Sequence, residues 1–236
     1  MRVIVLTTET PHHLYFVKEI STIFDITGIA VESRVLKAPF QTHHSFEDER
    51  ERYEVTELLQ EEKVIFKDFS VTKAFNNIND EGCIQFIAAL KPDVIVTFGT
   101  GLIRKPLIHL CLDGFINLHG GDPEYYRGLD THMWAIYHRE FEQLIVTLHR
   151  LNPSLDDGEI IQQAQIRLDK NSKITKLRVE NTKLCVQLTL SALSTFNQLG
   201  SFISKPQKRK GRYYSFMPGD LKEICVKNFE QYIQKL

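Results

Sequence analysis

The amino-acid sequence predicts an α/β protein of Rossmann-like architecture, with a mostly parallel sheet flanked by helices. The chain opens with two β-rich runs, Val3 to Thr7 and Ile29 to Val35, separated by a helical pattern. Further along, Val94 to Phe98 is apolar except for Thr97, as in a strand that is covered on both faces. A strand–helix–strand opening followed by such a strand favours parallel strands joined by right-handed crossovers.

The first helix has sequence signals at both ends. Thr10 is predicted to cap it, and Pro11 to occupy its first position. Apolar residues then recur at spacings of three and four, which places them on one face: Leu14, Val17, Ile20 and Phe24. Gly28 is predicted to end this helix.

The middle of the chain alternates charged and apolar segments. Ser45 to Gln60 is predicted to form a solvated helix with i,i+4 ion pairs, because acidic and basic residues are interspersed along it. Val64 to Phe69 is predicted to be a short strand. Asp80 to Leu90 is predicted to be a helix that leads into the apolar strand at Val94, and a further strand–helix step is expected between Leu102 and Leu118.

The second half continues with helices and strands. Thr131 to His138 is predicted to be a helix, and Leu144 to Leu151 alternates apolar and polar residues as a strand does. Ile160 to Ile166 is predicted to be another strand, followed by a long helix that begins at Ser172 or Thr175 and runs to about Leu199.

Residues 1–200 are predicted to form the main domain, and residues 201–236 a short C-terminal extension. The extension contains a basic run, an aromatic run and a final amphipathic helix. The aromatic residues Tyr213, Tyr214 and Phe216 are expected to pack the extension onto the body or onto a second subunit, rather than to stack on bases.

Composition excludes several classes of protein. With 236 residues and 42% hydrophobic content, the chain suffices for one large domain. A formal net charge of −1 gives no basis for binding nucleic acid or a membrane surface. The four cysteines form no CxxC pair, and no apolar run reaches membrane-spanning length. We expect a cytoplasmic protein that binds neither nucleic acid nor membrane.

Asn117 and His119 are the leading candidates for chemistry. They lie two residues apart at the end of a predicted strand, so they point to the same face, and Asp156 follows later on a turn that contains Gly158. These three groups suit the attack of an amine on a carbonyl. The amide holds the developing oxyanion, the imidazole transfers a proton, and the carboxylate orients the imidazole. A purely structural histidine beside a strand end is the alternative.

Four short motifs combine into one signature: Asn117-x-His119, Arg127-Gly128, Trp134-Ala135-Ile136 and Asp156-x-Gly158. This signature resembles that of the formyltransferases that use N10-formyltetrahydrofolate. The resemblance implies that Asn117, His119 and Asp156 form the catalytic triad and that the folate is the formyl donor. It further implies that the folate binds at Asp156 and at five residues of one short segment: Phe98, Gly99, Gly101, Leu102 and Ile103. No metal is expected, because the adjacent histidines His12 and His13 point apart on a helix.

Departures from the family pattern indicate one branch. The turn after the first strand has no glycine, unlike the phosphate turn of glycinamide ribonucleotide enzymes, and the chain lacks the length for the C-terminal barrel of methionyl-tRNA enzymes. The remaining pattern resembles the sugar N-formyltransferases, which act on nucleotide-linked amino sugars in surface polysaccharide or O-antigen biosynthesis. GDP-perosamine and dTDP-4-amino-4,6-dideoxyglucose both remain open as substrates. The expected substrate-binding residues are His12, His13, Gly121, Tyr126 and Arg127.

Other readings of the same residues stay open. The resemblance also fits a formyltransferase for another small amine, similar to the glycinamide ribonucleotide enzymes, or a formyltetrahydrofolate hydrolase in which water replaces the amine. A non-catalytic folate or nucleotide-sugar sensor and a tRNA-directed enzyme are weaker alternatives. The resemblance implies a homodimer.

Overall fold

The computed structural model describes residues 1–152 and 156–236. In this part of the chain, seven strands form one sheet in the spatial order β3-β2-β1-β4-β5-β7-β8. Their bounds are β1 Val3–Thr8, β2 Ile26–Glu32, β3 Thr72–Phe75, β4 Val94–Phe98, β5 Phe115–His119, β7 Ile145–Arg150 and β8 Ile160–Gln165. A second, two-stranded sheet pairs β6 (Tyr126–Gly128) with β9 (Arg212–Tyr214).

The large sheet is mostly parallel, which confirms the predicted fold class. The pairs β1–β2, β1–β4, β2–β3 and β4–β5 are parallel, whereas β5–β7 and β7–β8 are antiparallel. From β1 the chain runs outward through β2 and β3, then returns to the other side of β1 for β4 and β5. The strand order therefore reverses between β1 and β4. At such a topological switch point, open α/β sheets bind ligands beyond the carboxyl ends of the strands.

Helices cover both faces of the sheet. Their bounds are α1 Pro11–Ser21, α2 Phe46–Tyr53, α3 Glu81–Leu90, α4 Lys105–Ile108, α5 Thr131–Tyr137, α6 Leu177–Leu199 and α7 Gly219–Ile233. A π-helical turn continues α2 over Glu54–Leu58, and short 3-10 turns occupy Phe66–Asp68, Phe141–Gln143 and Ile174–Lys176. Within the described residues, no helix is both long and apolar enough to span a bilayer.

The alternation of side chains explains why the central strands have apolar residues at successive positions instead of at every second one. Val3 and Val5 of β1 pack in the core that includes α1 and α6, whereas Ile4 and Leu6 pack in a second core with α3 and α4. All four are fully buried. Each buried side chain of this size contributes roughly 1.5–3 kcal/mol to folding, so both faces of β1 anchor the molecule.

The predicted end of the first helix at Gly28 is wrong. Thr10 and Pro11 do begin α1, and Thr10 Oγ1 accepts a hydrogen bond from the His13 N–H, but the helix ends at Ser21. Gly28 lies within β2 instead, where a Cβ atom would overlap the side chain of Leu90 on α3. The glycine therefore makes room for the Leu90 side chain between helix and sheet and does not end a helix.

The strand predicted at Val64 to Phe69 is also wrong. That segment contains a 3-10 turn, and the strand is the later Thr72–Phe75. This strand is paired only with β2, at the edge of the sheet, and alternates half-buried and exposed residues. An edge strand buries too few side chains to leave an apolar signal in its sequence.

The charged segment predicted as a solvated helix is only partly solvated. Arg50 pairs with Glu47 and approaches Glu54 at helical spacing, as the sequence predicted. However, Glu54 is only 1% exposed. Burial of this carboxylate depends on cations that come from a distant part of the chain, which charge spacing within the segment does not reveal.

The segment after Gly200 is tied to the body by strand pairing and helix packing. Strand β9 pairs in parallel with β6, and α7 packs on α5 through the buried side chains of Cys225 and Phe229. The ring of Tyr214 stacks on Trp134, with centroids 5.0 Å apart. The prediction that aromatic residues pack this segment onto the body is confirmed for Tyr214, whereas Tyr213 is 60% exposed.

Candidate active site

A cavity of about 980 Å³ opens at the carboxyl ends of β1, β4 and β5. The last residues of these strands, Thr8, Phe98 and His119, all line it. Its volume lies at the upper end of the range of about 300–1,000 Å³ that is usual for small-molecule sites. The cavity coincides with the topological switch point of the sheet, so the fold itself places a ligand site here.

The side-chain amide of Asn117 is held from both sides. Thr97 on β4 donates its hydroxyl hydrogen to Asn117 Oδ1 across 2.5 Å, and Asn117 Nδ2 donates to His149 Nε2 across 3.1 Å. His149 accepts this bond because its Nδ1–H donates to the Arg150 carbonyl oxygen at 2.8 Å, which assigns the tautomer. The second N–H of Asn117 remains for a ligand in the cavity that Asn117 lines.

The imidazole of His119 is oriented by a backbone carbonyl. Its Nε2–H donates to the Tyr126 carbonyl oxygen across 2.8 Å. Its Nδ1 lies 3.7 Å from Asp156 Oδ1, which is an ion-pair distance and too long for a hydrogen bond. The expectation that the carboxylate orients this imidazole is therefore corrected, because the Tyr126 carbonyl does so and leaves Nδ1 available.

Asp156 lies between the two histidines and is 7% exposed. Its Oδ1 is 3.7 Å from both His119 Nδ1 and His149 Nε2, and its Oδ2 accepts the Gly128 N–H at 2.9 Å. Burial opposes ionisation of the Asp156 carboxyl, but the two histidines and the Gly128 N–H outweigh it, so its pKa lies well below the usual range. Asp156 is consequently a carboxylate at neutral pH.

The turn that carries Asp156 needs its glycine and is held from the C-terminal segment. Asp156 has a positive φ of 47°. A Cβ atom at Gly158 would overlap the carbonyl oxygen of Arg150, so only glycine fits. Gln207 Nε2 donates to the carbonyl oxygens of Asp156 and Gly158 at 3.0 and 2.8 Å. Residues 153–155 of the connection predicted here lie outside the described residues.

Comparison with known proteins identifies the family. The model of the family described as formyl transferase matches residues 1–193. The chain belongs to the formyl transferase family. The matched range is most of the chain and spans the positions of Asn117, His119 and Asp156, and the protein is an enzyme of this family.

Solved structures share the fold of this formyl transferase at low sequence identity. A sugar N-formyltransferase from Shewanella sp is 14% identical with a TM-score of 0.64, covering 97% of this chain and 87% of that one. The N-formyltransferase from Helicobacter canadensis, in complex with folinic acid and dTDP-3-aminofucose, is 13% identical with a TM-score of 0.57, covering 91% and 71%. HypX from Aquifex aeolicus, in complex with tetrahydrofolic acid, is 20% identical with a TM-score of 0.57.

The HypX match covers 94% of this chain but only 30% of HypX. This formyl transferase chain therefore spans less than a third of the length of HypX. At such identities the likeness shows a shared fold, to which the family match adds the class of enzyme.

The segment predicted to contact folate lines the cavity of this formyl transferase in full: Phe98, Gly99, Gly101, Leu102 and Ile103. Leu102 is 55% exposed and offers an apolar surface, as the prediction required. The Gly101 N–H, however, already donates to Glu32 Oε2 at 2.7 Å. Gly99 has a φ of +80°, and a Cβ atom there would overlap the His13 ring. The glycines thus allow close packing of protein groups as well as an approach by a ligand.

His12 and His13 line the same cavity and are nearly buried. His12 Nδ1 lies 2.9 Å from Glu54 Oε2, and His13 Nδ1 lies 2.9 Å from the Thr8 hydroxyl. Burial, followed by nearby positive charge, lowers the pKa of both imidazoles well below the usual range. Both rings are therefore neutral at physiological pH and serve as hydrogen-bonding groups.

The other three predicted substrate residues lie outside the set of described residues that line the cavity. The Gly121 carbonyl accepts a bond from Thr147 Oγ1 at 2.7 Å. Tyr126 is 3% exposed, and its hydroxyl donates to Glu140 Oε2 at 2.6 Å, while Arg127 is buried. In this structure they form the layer behind His119.

Sequence reasoning missed the residues that support Asn117. Thr97 carries a signal, since it is the single polar residue of an otherwise apolar strand next to β5. His149 faces Asn117 across the antiparallel β5–β7 pair, and a register between distant strands leaves no local signal. The buried Glu54 and its partner Arg178, which lines the cavity, were missed as well.

Proposed function

We propose that this protein transfers the formyl group of N10-formyltetrahydrofolate to the amine of a nucleotide-linked amino sugar. The observation that carries the proposal is the convergence of Asn117, His119 and Asp156 on one wall of the cavity. Two structural neighbours add support, because one was solved with folinic acid and dTDP-3-aminofucose and another with tetrahydrofolic acid.

In this proposal Asn117 stabilises the transition state. The amine nitrogen attacks the formyl carbon, and the carbonyl oxygen gains negative charge. The unpaired N–H of Asn117 donates to that oxygen, and its direction is fixed because Thr97 and His149 hold the rest of the amide. A preorganised donor of this kind is worth roughly 3–4 kcal/mol in the transition state.

His119 moves the proton. Because Nε2–H is committed to the Tyr126 carbonyl, Nδ1 is the ring nitrogen that accepts the proton that the attacking amine loses. The Asp156 carboxylate, 3.7 Å away, stabilises the imidazolium that forms. Return of this proton to N10 of the folate accompanies cleavage of the bond between N10 and the formyl carbon, so that atoms and charge balance.

The donor folate is assigned to the side of the cavity formed by Phe98 to Ile103 and the Asp156 turn. Residues 1–200 act as the catalytic domain in this proposal, and residues 201–236 as an extension that holds that turn through Gln207. The proposal includes a homodimer in the cytoplasm and a role in surface polysaccharide or O-antigen biosynthesis. GDP-perosamine and dTDP-4-amino-4,6-dideoxyglucose are the first acceptors to test.

The test is a panel of nucleotide-linked amino sugars incubated with enzyme and N10-formyltetrahydrofolate, with mass spectrometry as the readout. We expect one acceptor to gain a single formyl group, at a rate that depends on the enzyme and the folate. Release of formate without any acceptor would favour a hydrolase instead. Formylation of glycinamide ribonucleotide alone would move the enzyme to the other branch of the family.

A further inference from the structure

A pair of guanidinium groups faces the cavity from two helices that are far apart in sequence. Arg50 on α2 and Arg178 on α6 both line it. Between and behind them lies Glu54, whose Oε1 is 3.2 Å from Arg178 Nη1 and 3.8 Å from Arg50 Nε. The proposed transfer chemistry uses none of these three residues, so their presence in the wall requires a separate explanation.

The charges in this cluster are layered. Glu54 is 1% exposed, and neither it nor Glu47, the other carboxylate that pairs with Arg50, belongs to the described cavity lining. Lys222 neutralises Glu47 from behind, at 3.1 Å. Asp130 does line the cavity, and its Oδ2 accepts the Met217 N–H at 2.8 Å. The wall near α6 therefore presents the two arginines and Asp130 to the cavity, whereas the carboxylates of Glu54 and Glu47 stay behind the lining.

Arg178 has hydrogen-bonding capacity to spare. A guanidinium carries five N–H donors in a planar fork, and the ion pair with Glu54 engages one edge of it. About a third of the Arg178 side chain, 34%, is open to the cavity. The neighbouring His12 is neutral and contacts the other oxygen of Glu54, so it adds no charge, and Arg178 and Arg50 are the cations beside this carboxylate. The complementary ligand for such a fork is an oxyanion with several oxygens.

The next turn of α6 relates this cluster to the reacting atoms. Asn181 lies three residues after Arg178 and therefore on the same face of the helix. It lines the cavity, it is 8% exposed, and its Oδ1 is buried without a hydrogen-bond partner. A Cβ atom built on Gly120, the residue after His119, would lie 3.4 Å from that oxygen. One face of α6 thus reaches from the guanidinium pair to the neighbourhood of His119.

We propose that Arg178 and Arg50 form an anion subsite that binds the phosphate groups of the acceptor. The inference rests on the proposed function, because a nucleotide-linked sugar carries a diphosphate at a fixed distance from its amine. With the diphosphate at Arg178, the sugar lies along α6 towards Asn181 and its amine approaches His119. Asn181 Oδ1 then accepts a hydrogen bond from the sugar, so this buried oxygen gains the partner that it otherwise lacks.

Folate supplies a second kind of anion, the carboxylates of its glutamate tail. The charge layering alone suits either ligand, since both present negatively charged oxygens to a guanidinium fork. The shared face of Arg178 and Asn181 favours the acceptor, because Asn181 on that face places its unpaired oxygen beside Gly120, the residue that follows His119. Separate titrations with inorganic diphosphate and with tetrahydrofolate distinguish the two sources.

The experiment measures the affinity of the full-length protein for inorganic diphosphate by calorimetry, without formyl donor and without turnover. We expect Arg178→Gln to weaken diphosphate binding by roughly tenfold or more, because charge-assisted hydrogen bonds are lost. Affinity for tetrahydrofolate should stay within about twofold of wild type. The matched control is Arg167→Gln, an exposed arginine that is not part of the described cavity lining.

Removal of Arg178 alone leaves the buried Glu54 carboxylate with one guanidinium group fewer to balance its charge, and this destabilises the folded protein. The double variant Glu54→Gln/Arg178→Gln removes both charges, so diphosphate binding is tested even where the single variant unfolds. Undiminished diphosphate affinity in a folded Arg178 variant would overturn the subsite, as would a loss confined to tetrahydrofolate. Arg178-dependent binding of diphosphate without formylation of any nucleotide sugar would sustain the subsite and reject the proposed function.

Discussion

Thr97 and Asn117 lie side by side on parallel strands, and the Thr97 hydroxyl donates to Asn117 Oδ1 across 2.5 Å. An amide has two nearly equivalent ends, and the Thr97 hydroxyl could bond to either; His149 Nε2 is an acceptor, so the end that faces it is the nitrogen and the end that faces Thr97 is the oxygen. Because the oxygen is engaged by Thr97, the nitrogen is directed to His149 and to the cavity. Thr97, which is not among the described lining residues, thus helps to hold the donor that the reaction needs.

Thr97→Val is expected to lower kcat by between about tenfold and a hundredfold, because a misdirected donor loses its alignment with the reacting oxygen. Measurement of kcat and of the folate KM should show the loss in kcat with little change in KM. Thr189→Val is the control, since the Thr189 hydroxyl is buried without a partner on α6. Equal kcat values for the two variants would show that Thr97 does not orient the Asn117 amide for catalysis.

The Asp156 turn provides a second prediction. Gly158→Ala should displace the turn, because the added methyl overlaps the Arg150 carbonyl, at a cost of about 1–3 kcal/mol in stability and a loss of kcat. Gly200→Ala is the matched variant. It places alanine at a positive φ of 72° in open space, so it should lose a comparable amount of stability and keep kcat. Unchanged kcat in Gly158→Ala would contradict the role given to this turn.

Gln207 links the C-terminal extension to the same turn. Gln207→Ala removes two hydrogen bonds to the carbonyls of Asp156 and Gly158 and is expected to reduce kcat several-fold. Gln234→Ala, exposed after the last helix, should behave as wild type. Steady-state kinetics with the acceptor and folate both saturating checks this expectation. A Gln207 variant with wild-type kcat would show that the extension does not position Asp156.

Buried histidines predict how stability depends on pH. Burial lowers the pKa of His132 to about 4 from 6.5, against the opposing effect of its bond to the Ile145 carbonyl. As the pH falls, His132 therefore takes up a proton in the unfolded chain before it does so in the folded protein. The contribution of neutral His132 to the stability of the folded state is complete above pH 6.5 and is lost as the pH falls towards 4. At pH 5 the loss from this histidine reaches up to about 2 kcal/mol.

Thermal unfolding of His132→Gln should accordingly show a smaller drop in Tm between pH 7 and pH 5 than the wild type shows. His12 and His13 have lowered pKa values too, so part of the drop persists in the variant. His43→Gln, an exposed histidine, serves as the control. If Tm fell equally with pH in wild type and in His132→Gln, His132 would not contribute to the pH dependence of stability.

Sequence patterns were sufficient where local physics decides the structure. The Thr10-Pro11 start of α1, the strand at Val94–Phe98 and the strand end that carries Asn117 and His119 all depend on neighbours in sequence, and the structure has them where they were predicted. Asn117 and His119 share a face because a strand alternates, and the end of β5 reaches the cavity because parallel strands end at one edge.

Features that depend on distant partners were missed or predicted wrongly. Gly28 looked like a helix end because its real partner, Leu90, comes from another helix. Glu54 looked solvated because Arg178 lies far along the chain. The orientation of His119 by the Tyr126 carbonyl likewise depends on how a later segment folds back over β5.

The rate of formyl transfer in single variants of the three converging residues tests the central claim most directly. Asn117→Ala, His119→Ala and Asp156→Ala are to be compared with wild type in single-turnover reactions, with circular dichroism confirming the fold. We predict that each variant loses at least about a hundredfold in rate while it still binds folate. Rates close to wild type in all three would contradict the claim.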